Sequence, residues 1–133
     1  MKTTMIIFIV VGVAIIGVWF LTRGSMQTTS GQLLQGNEFA AALAAHPDAV
    51  VIDVRTPGEY ASGHMPSARN IDIQSASFGS EIAKLDPAGT YFVYCHSGRR
   101  SAIATAQLRQ KGFMNIYELA GGASASPQLM TER

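Results

Sequence analysis

The stretch Tyr94-Cys95-His96-Ser97-Gly98-Arg99-Arg100-Ser101 contains the only cysteine of the chain. It follows the apolar, β-favouring run 91–94 and precedes a segment rich in helix formers over 102–108. A side chain at such a strand-to-helix turn faces the backbone N–H groups of the helix N-terminus, where the helix dipole favours negative charge. Arg99 and Arg100 add positive charge, and a cationic setting lowers the pKa of a thiol. The stretch therefore predicts a nucleophilic thiolate at Cys95.

Strand and helix patterns alternate on both sides of this turn. The run 49–54 is apolar until it ends in charge, as expected of a strand buried on both faces. Asn37 is the predicted N-cap of a helix through Ala45, and Pro57 lies near the start of a short helical turn over 56–60. Further strands are predicted at 33–34, 68–73, 91–95 and 115–119, and further helices at 77–85 and 101–111. This alternation predicts an α/β domain with a largely parallel sheet.

Three chemically useful side chains lie where predicted strands end. Asp53 and Arg55 follow one buried strand, and Cys95 follows another. In open parallel sheets, sites form at the carboxyl ends of the strands. We therefore expect these side chains to lie near one edge of the sheet.

The N-terminal region has the character of a membrane segment. Residues 3–22 contain no charged side chain, and 5–21 are apolar or glycine. As a helix, such a stretch spans roughly 30 Å, the thickness of a bilayer hydrocarbon core. Trp19 and Phe20 lie near one end, where an aromatic belt is expected. We expect an uncleaved anchor over residues 1–22; a cleaved signal peptide is the alternative, but its apolar region is normally about 7–15 residues long.

The rest of the chain divides into a tether and one domain. Residues 23–32 are mostly small and polar, which predicts a flexible tether, and residues 33–133 form the predicted domain. Lys2 precedes the apolar segment and Arg23 follows it. With the α-amino group on the side of Lys2, the positive-inside rule favours a cytoplasmic N-terminus and a domain outside the cytoplasm.

Composition excludes several classes of function. The formal net charge is +1 and no basic run occurs, so no nucleic-acid binding is expected. A single cysteine excludes an intrachain disulfide and a paired-cysteine metal or redox site. His46, His64 and His96 lack metal-ligand spacing. We expect no metal and no other cofactor.

Four short motifs occur in a characteristic order. They are Val51-Ile52-Asp53-Val54-Arg55; Glu59-Tyr60 with Gly63-His64-Met65-Pro66; Cys95-x-x-Gly98-x-Arg100; and Gly121-Gly122. Together they resemble the rhodanese family of single-domain sulfurtransferases, over about residues 33–122. The resemblance implies a three-layer α/β sandwich with a five-stranded parallel sheet. It also implies that Cys95 is the catalytic residue, at the base of a cradle made by His96, Ser97, Gly98, Arg99, Arg100 and Ser101.

The resemblance further implies a reaction. The Cys95 thiolate would take a sulfane sulfur from a donor such as thiosulfate and release sulfite. The resulting persulfide would pass its sulfur to a thiol or protein acceptor, because the chain has no second cysteine to resolve it. The N–H groups of the loop and the dipole of the following helix can stabilise the persulfide anion. Gly98 would permit a tight turn that a side chain would obstruct.

Supporting roles are expected for four residues outside the loop. Asp53 and Arg55 would be scaffolding around it, and Glu59 would pair with an arginine, Arg55 being the nearest in sequence. His64 would hold a turn rather than transfer protons. Within the loop, His96 and Arg99 would recognise an anionic donor or remain solvated, and the alternative for Cys95 itself is a buried, inert thiol.

Two departures from the family pattern concern the region around the loop. Ser126 stands where many members carry tryptophan, and Ser67 stands where glycine is common after the proline. The tail 123–133 is short and polar, which predicts that a final helix is absent or loosely packed.

Other functions fit parts of the same pattern. A membrane-tethered persulfide carrier or binding module is one alternative, although inactive members usually lose the cysteine. A phosphatase or arsenate reductase on the related fold is another. Those enzymes separate cysteine and arginine by five residues to cradle a tetrahedral oxyanion, whereas four residues separate Cys95 from Arg100 and the next position is Ser101. The shorter spacing favours sulfur transfer.

Overall fold

Five strands alternate with helices through the domain. The computed structural model describes residues 31–133, so the predicted anchor and all but the end of the predicted tether lie outside the described residues. The strands are β1 (Gln32–Leu34), β2 (Val50–Asp53), β3 (Arg69–Asn70), β4 (Thr90–Tyr94) and β5 (Asn115–Leu119). The helices are α1 (Gly36–Ala44), α2 (Pro57–Ser62), α3 (Phe78–Ile82), α4 (Arg99–Gln110) and α5 (Gly122–Ala125), followed by a 3-10 turn at Pro127–Leu129. Within this range, no helix combines the length and apolar character needed to cross a bilayer.

All strand pairs are parallel, in the order β1-β5-β4-β2-β3. This order puts β4 at the centre of the sheet, with β5 and β2 as its neighbours. Val93 is in register with Ile52 on β2 and with Glu118 on β5. Cys95, directly after β4, therefore emerges between two strand ends. The predicted α/β fold with a five-stranded parallel sheet is confirmed.

Two apolar cores cover the two faces of the sheet. Successive strand side chains point to opposite faces. Accordingly Tyr91, Val93 and Cys95 join the core under α3 and α4, while Phe92 and Tyr94 join the core under α1 and the C-terminal residues. This arrangement gives the expected three layers.

Several element boundaries differ from those predicted. Helix α1 has Gln35 rather than Asn37 as its N-cap, because the Glu38 carboxylate accepts a hydrogen bond from the Gln35 N–H at 3.1 Å. Strand β3 is only two residues long instead of 68–73, although Ile71 and Ile73 still donate to carbonyls of Asp53 and Val54. Helix α3 is shorter than predicted, and α4 begins at Arg99 rather than Ser101. The first strand begins at Gln32, within the predicted tether.

The expectation that the final helix is absent or loosely packed is wrong. Helix α5 is present, Ser126 is buried, and a Cβ built on Gly36 would meet the Ser126 hydroxyl. Glu132 then pairs with His64 through backbone hydrogen bonds of 2.8 and 3.0 Å. The tail packs because small residues at positions 36 and 126 allow close approach. The other departure, Ser67, adopts a left-handed φ of 59°, the conformation in which glycine is favoured.

Candidate active site

The Cys95 sulfur lies against the N-terminus of helix α4. Cys95 is fully buried, and its Sγ accepts a hydrogen bond from the Gly98 N–H at 3.0 Å. Gly98 is the N-cap of the helix and has a left-handed φ of 93°. A Cβ on Gly98 would lie 3.5 Å from the Gly121 nitrogen, an ordinary contact, so its φ and not a lack of space favours glycine here. The requirement for glycine at position 98 therefore does not come from obstruction of the turn by a side chain, which we expected from the sequence.

Opposing effects act on the protonation of Cys95. Burial raises the pKa of the thiol. Interactions with the Ser101 hydroxyl and with the backbone N–H groups of Ser101, Gly98 and Ser97 lower the pKa by more, so it lies below the ordinary value. This environment favours a sulfur anion at the end of β4.

The Gly121-Gly122 pair allows the start of helix α5 to pack against the backbone of the loop that carries Cys95. Both glycines have left-handed φ values, 68° and 59°. A Cβ on Gly122 would lie 2.5 Å from the Cys95 carbonyl oxygen, so only glycine allows the backbones to approach this closely. The N–H of Ala123 donates to Cys95 O and that of Ser124 to His96 O, both at 2.9 Å. The start of α5 thus fixes the backbone that carries the cysteine.

Arg100 and Glu59 form a bidentate ion pair. Arg100 Nη1 donates to Glu59 Oε2 at 2.8 Å, and Nη2 donates to Oε1 at 2.7 Å. This hydrogen bonding, with help from Thr56 and against the effect of partial burial, lowers the pKa of Glu59 to about 2. Glu59 pairs with an arginine as expected, but its partner is Arg100 and not Arg55, the nearest in sequence, because Asp53 already engages the Arg55 guanidinium. The same pairing raises the pKa of Arg100, and attraction to Cys95 adds to that rise, so the cation acts on the sulfur through space.

Asp53 and Arg55 form a buried pair at the end of β2. Arg55 Nε donates to the Asp53 carboxylate at 2.9 and 3.0 Å, and Nη2 donates to Asp53 Oδ2 at 2.6 Å. Nη2 also donates to Gly63 O at 2.6 Å. The guanidinium lies 5.4 Å from the centre of the Tyr94 ring. The pair therefore ties the turn after α2 to the sheet, which is the geometry of scaffolding.

His64 lies in that turn and not in the cradle. Its ring stacks on Tyr60 at 3.7 Å between centroids, and Nδ1 is 2.9 Å from the Tyr60 carbonyl, to which it can donate. Nε2 lies 3.7 Å from Glu132 Oε2. These contacts suit a residue that holds the turn.

The remaining loop residues divide by exposure. His96, Ser97 and Arg99 are exposed at the rim, whereas Ser101 is fully buried beneath the sulfur. Among residues 31–133, no three His, Cys, Asp or Glu side chains converge as a metal site would require.

Glu118 is a buried residue near the site that the sequence reasoning missed. It is 8% exposed, and its Oε1 accepts a hydrogen bond from Ser101 Oγ at 2.8 Å. Thr105 Oγ1 lies 3.4 Å from its other oxygen. A signal was available, because strand alternation puts Glu118 on the same face as Ile116, which belongs to the core that contains Cys95.

Comparison with known protein families places the chain clearly. The model of the rhodanese-like domain matches residues 36–126. The thiosulfate sulfurtransferase GlpE of Pseudomonas entomophila is 40% identical over 85 residues, which cover 64% of this chain and 75% of that protein. The enzyme of the same name from Pseudomonas putida strain F1 is 36% identical over 85 residues, covering 64% of this chain and 76% of that protein.

Solved structures agree in fold. A rhodanese-related protein from Thermoplasma volcanium superposes with a TM-score of 0.58 at 27% identity, covering 73% of this chain and 91% of that one. A protein from Rhodopseudomonas palustris, described as a possible tyrosine phosphatase, gives a TM-score of 0.57 at 25% identity, covering 75% and 82%.

Proposed function

This chain belongs to the rhodanese-like domain family, and from that premise we propose that it is a sulfurtransferase that carries a sulfane sulfur as a persulfide on Cys95. The names of the Pseudomonas relatives support a thiosulfate-type donor. The acceptor is a thiol, either a small molecule or a protein.

The observation that carries this proposal is the hydrogen bond of 3.0 Å from the Gly98 N–H to Cys95 Sγ at the start of a twelve-residue helix. Backbone donors fixed by a helix stabilise a negative sulfur without rearranging. The thiolate forms a bond to the outer sulfur of thiosulfate, the S–S bond of the donor breaks, and sulfite leaves with the electron pair. An acceptor then attacks the terminal sulfur of the persulfide, and the Cys95 thiolate is the leaving group.

Phosphate chemistry is the rival enzymatic function, favoured by the Rhodopseudomonas neighbour described as a possible phosphatase. Two features of this chain weigh against it. Only four residues separate Cys95 from Arg100, and both terminal nitrogens of Arg100 are engaged by Glu59. A guanidinium held in this way is not free to clamp a phosphate oxyanion.

The test is persulfide formation in the full-length protein, kept in mild detergent. After incubation with thiosulfate, intact mass spectrometry should show one added sulfur atom, and the matched variant Cys95→Ser should show none. No adduct with any of several donors, while iodoacetamide still alkylates Cys95, would refute the sulfurtransferase. Hydrolysis of an aryl phosphate without a persulfide would establish the phosphatase. A persulfide that passes only slowly to small thiols would indicate a carrier.

We also propose that residues 5–21 anchor the chain in a membrane, with the domain outside the cytoplasm. The support is the uncharged apolar run and the arrangement of Lys2 and Arg23 around it. Cys95 is too buried for large reagents, so Ala76→Cys in a Cys95→Ser background supplies an exposed label site. Labelling of intact cells by an impermeant maleimide is expected; labelling only after lysis would contradict the orientation, and release by alkaline carbonate would contradict the anchor.

A further inference from the structure

A chain of hydrogen bonds joins the reactive sulfur to a buried carboxylate. Cys95 Sγ lies 3.5 Å from Ser101 Oγ, which lies 2.8 Å from Glu118 Oε1. All three residues are buried. A carboxylate in such a position is costly unless polar groups satisfy it. Here the satisfying groups are two hydroxyls of helix α4, those of Ser101 and Thr105.

The Ser101 hydroxyl has a single proton to donate. Its neighbours are the Gly98 carbonyl at 3.0 Å, Glu118 Oε1 at 2.8 Å and the sulfur of Cys95. While Glu118 is ionised, the charged acceptor takes this proton, because charge-assisted hydrogen bonds are the stronger ones. Ser101 then offers the sulfur only a lone pair, which suits a protonated thiol that donates to it.

A negative sulfur reverses this requirement. Ser101 must now turn its proton toward the sulfur, and Glu118 loses its closest donor. The hydrogen bonds are all satisfied again if Glu118 is protonated and donates to Ser101 Oγ. Like charges joined through one hydroxyl also repel, so a negative sulfur and a negative Glu118 disfavour each other.

We propose that Glu118 takes up the Cys95 proton through Ser101 as the persulfide forms, so that the pocket holds one negative charge before and after the sulfur is transferred. This inference rests on the proposed sulfur transfer. The thiol proton passes to Ser101 Oγ as the Ser101 proton passes to Glu118. The sulfur then forms its bond to the sulfane sulfur, and sulfite leaves. When the acceptor removes that sulfur, the Cys95 thiolate recovers its proton by the reverse route. Glu118 is a positioning residue, because it acts through Ser101 and does not touch the reacting atoms.

Among the described residues, no charged side chain other than Glu118 is hydrogen-bonded to the sulfur or to the Ser101 hydroxyl, and this includes His96 and Arg99 of the loop. Arg100 of helix α4 attracts the sulfur anion and is itself paired with Glu59 of helix α2. Asp72, before helix α3, also acts on Arg100. On the opposite side, strand β5 contributes Glu118. Because Glu118 alone of these is joined to the sulfur through a hydroxyl, it is where we expect the proton to go.

The first experiment counts protons during persulfide formation. Full-length protein in detergent is mixed with thiosulfate in weak buffer containing a pH indicator, well below the pH at which alkylation shows Cys95 to ionise. Protons taken up by free sulfite are subtracted, and mass spectrometry gives the persulfide yield. The wild type should release almost no protons, whereas Glu118→Gln should release about one for each persulfide. The matched control is Glu81→Gln, since Glu81 also accepts from a serine hydroxyl, that of Ser77, but lies on helix α3.

A release of about one proton by the wild type overturns the proposal, and this measurement needs no variant to fold. If no persulfide forms at all, the proposed function fails and a second experiment decides the coupling. The rate of iodoacetamide alkylation against pH reports ionisation of Cys95 without any sulfur donor. Its midpoint should fall by about one pH unit in Glu118→Gln relative to the wild type and Glu81→Gln, because a neighbouring negative charge is gone. An unchanged or higher midpoint overturns the coupling.

Discussion

Strands β4 and β2 end side by side at one edge of the sheet, but different groups stabilise the buried charge at the two ends. At the end of β4, the Gly98 N–H donates to the Cys95 sulfur, and the backbone N–H groups of neighbouring residues also favour its anion. At the end of β2, two opposite side-chain charges, Asp53 and Arg55, satisfy each other at 2.6 Å. One end has donors ready for an anion, and the other end is permanently neutralised.

The difference separates a reactive region from a structural one. Backbone donors stay in place whether the sulfur is a thiolate or a persulfide, so the charge there can change during turnover. The Asp53–Arg55 pair cannot lose a member without leaving a buried charge unpaired. Changes at β2 should therefore cost stability, and changes around β4 should alter reactivity.

The largest effect is expected from removing one member of the ion pair at the end of β2. Arg55→Met leaves the Asp53 carboxylate buried and unpaired, and should destabilise the fold by about 3–5 kcal/mol in urea unfolding. The control is Arg69→Met, which removes an exposed arginine near the same turn and should cost far less. The alkylation rate of Cys95 in the remaining folded protein should change little. A strongly altered rate with unchanged stability would show that the two ends are not separate.

The next largest effect is expected from a change that displaces the backbone after β4. In Gly122→Ala, the new Cβ would lie 2.5 Å from the Cys95 carbonyl oxygen, at a left-handed φ. The loop must shift, at a cost of about 2–3 kcal/mol, and persulfide formation should slow at least tenfold. Gly112→Ala is the matched control, because Gly112 has a φ of 89° but no atom within 4 Å of the new Cβ. Equal rates in the two variants would mean that close approach at Gly122 does not hold the cysteine.

A smaller effect tests the ion pair between the two ends. Glu59→Gln should cost about 0.5–1 kcal/mol at neutral pH, since the Arg100–Glu59 pair is partly exposed. The pKa of Glu59 falls from 4.5 to about 2 on pairing, so its stabilisation is present above about pH 4.5 and is lost as the pH falls towards 2. Thermal unfolding of both proteins across this range should show the difference in Tm vanish at the acid end. A difference that grows on acidification would contradict this pairing.

The smallest effect is a gain in stability. Ser67→Gly should stabilise the domain by less than about 0.5 kcal/mol, because the left-handed φ of 59° strains serine but not glycine, while the greater backbone entropy that glycine loses on folding offsets part of the gain. The backbone N–H that donates to Glu132 at 3.2 Å is retained in this variant. Ser80→Gly, inside helix α3, should instead destabilise by about 0.5 kcal/mol. Shifts of the urea midpoint in opposite directions from the wild type would confirm the contrast. A lower midpoint in both variants would contradict it.

What the sequence could predict was set by local patterns. The continuous run 50–53 and the alternation along 115–119 specify strands from neighbouring residues alone, and Cys95 with Gly98 specifies the turn. Partners distant in sequence were missed. Glu59 and Arg100 are 41 positions apart, so proximity along the chain wrongly favoured Arg55. The packing of the tail was missed as well, because it depends on small residues at positions 36 and 126 that meet only in the folded domain.

Because the five strands run in the same direction, the two edges at which they begin and end differ in what they carry. Every strand runs toward the edge where the sulfur lies, and Gly31 leads into β1 from the other direction, beside Arg109 near the far end of helix α4. Strand β4 alone extends roughly 16 Å between the two edges. Within the described residues, the chain therefore enters the domain at the edge of the sheet opposite the one where the sulfur lies. The residues of the cradle and the residue that leads into β1 lie at opposite ends of the parallel strands, so a sulfur acceptor and the preceding chain meet different edges of the same sheet.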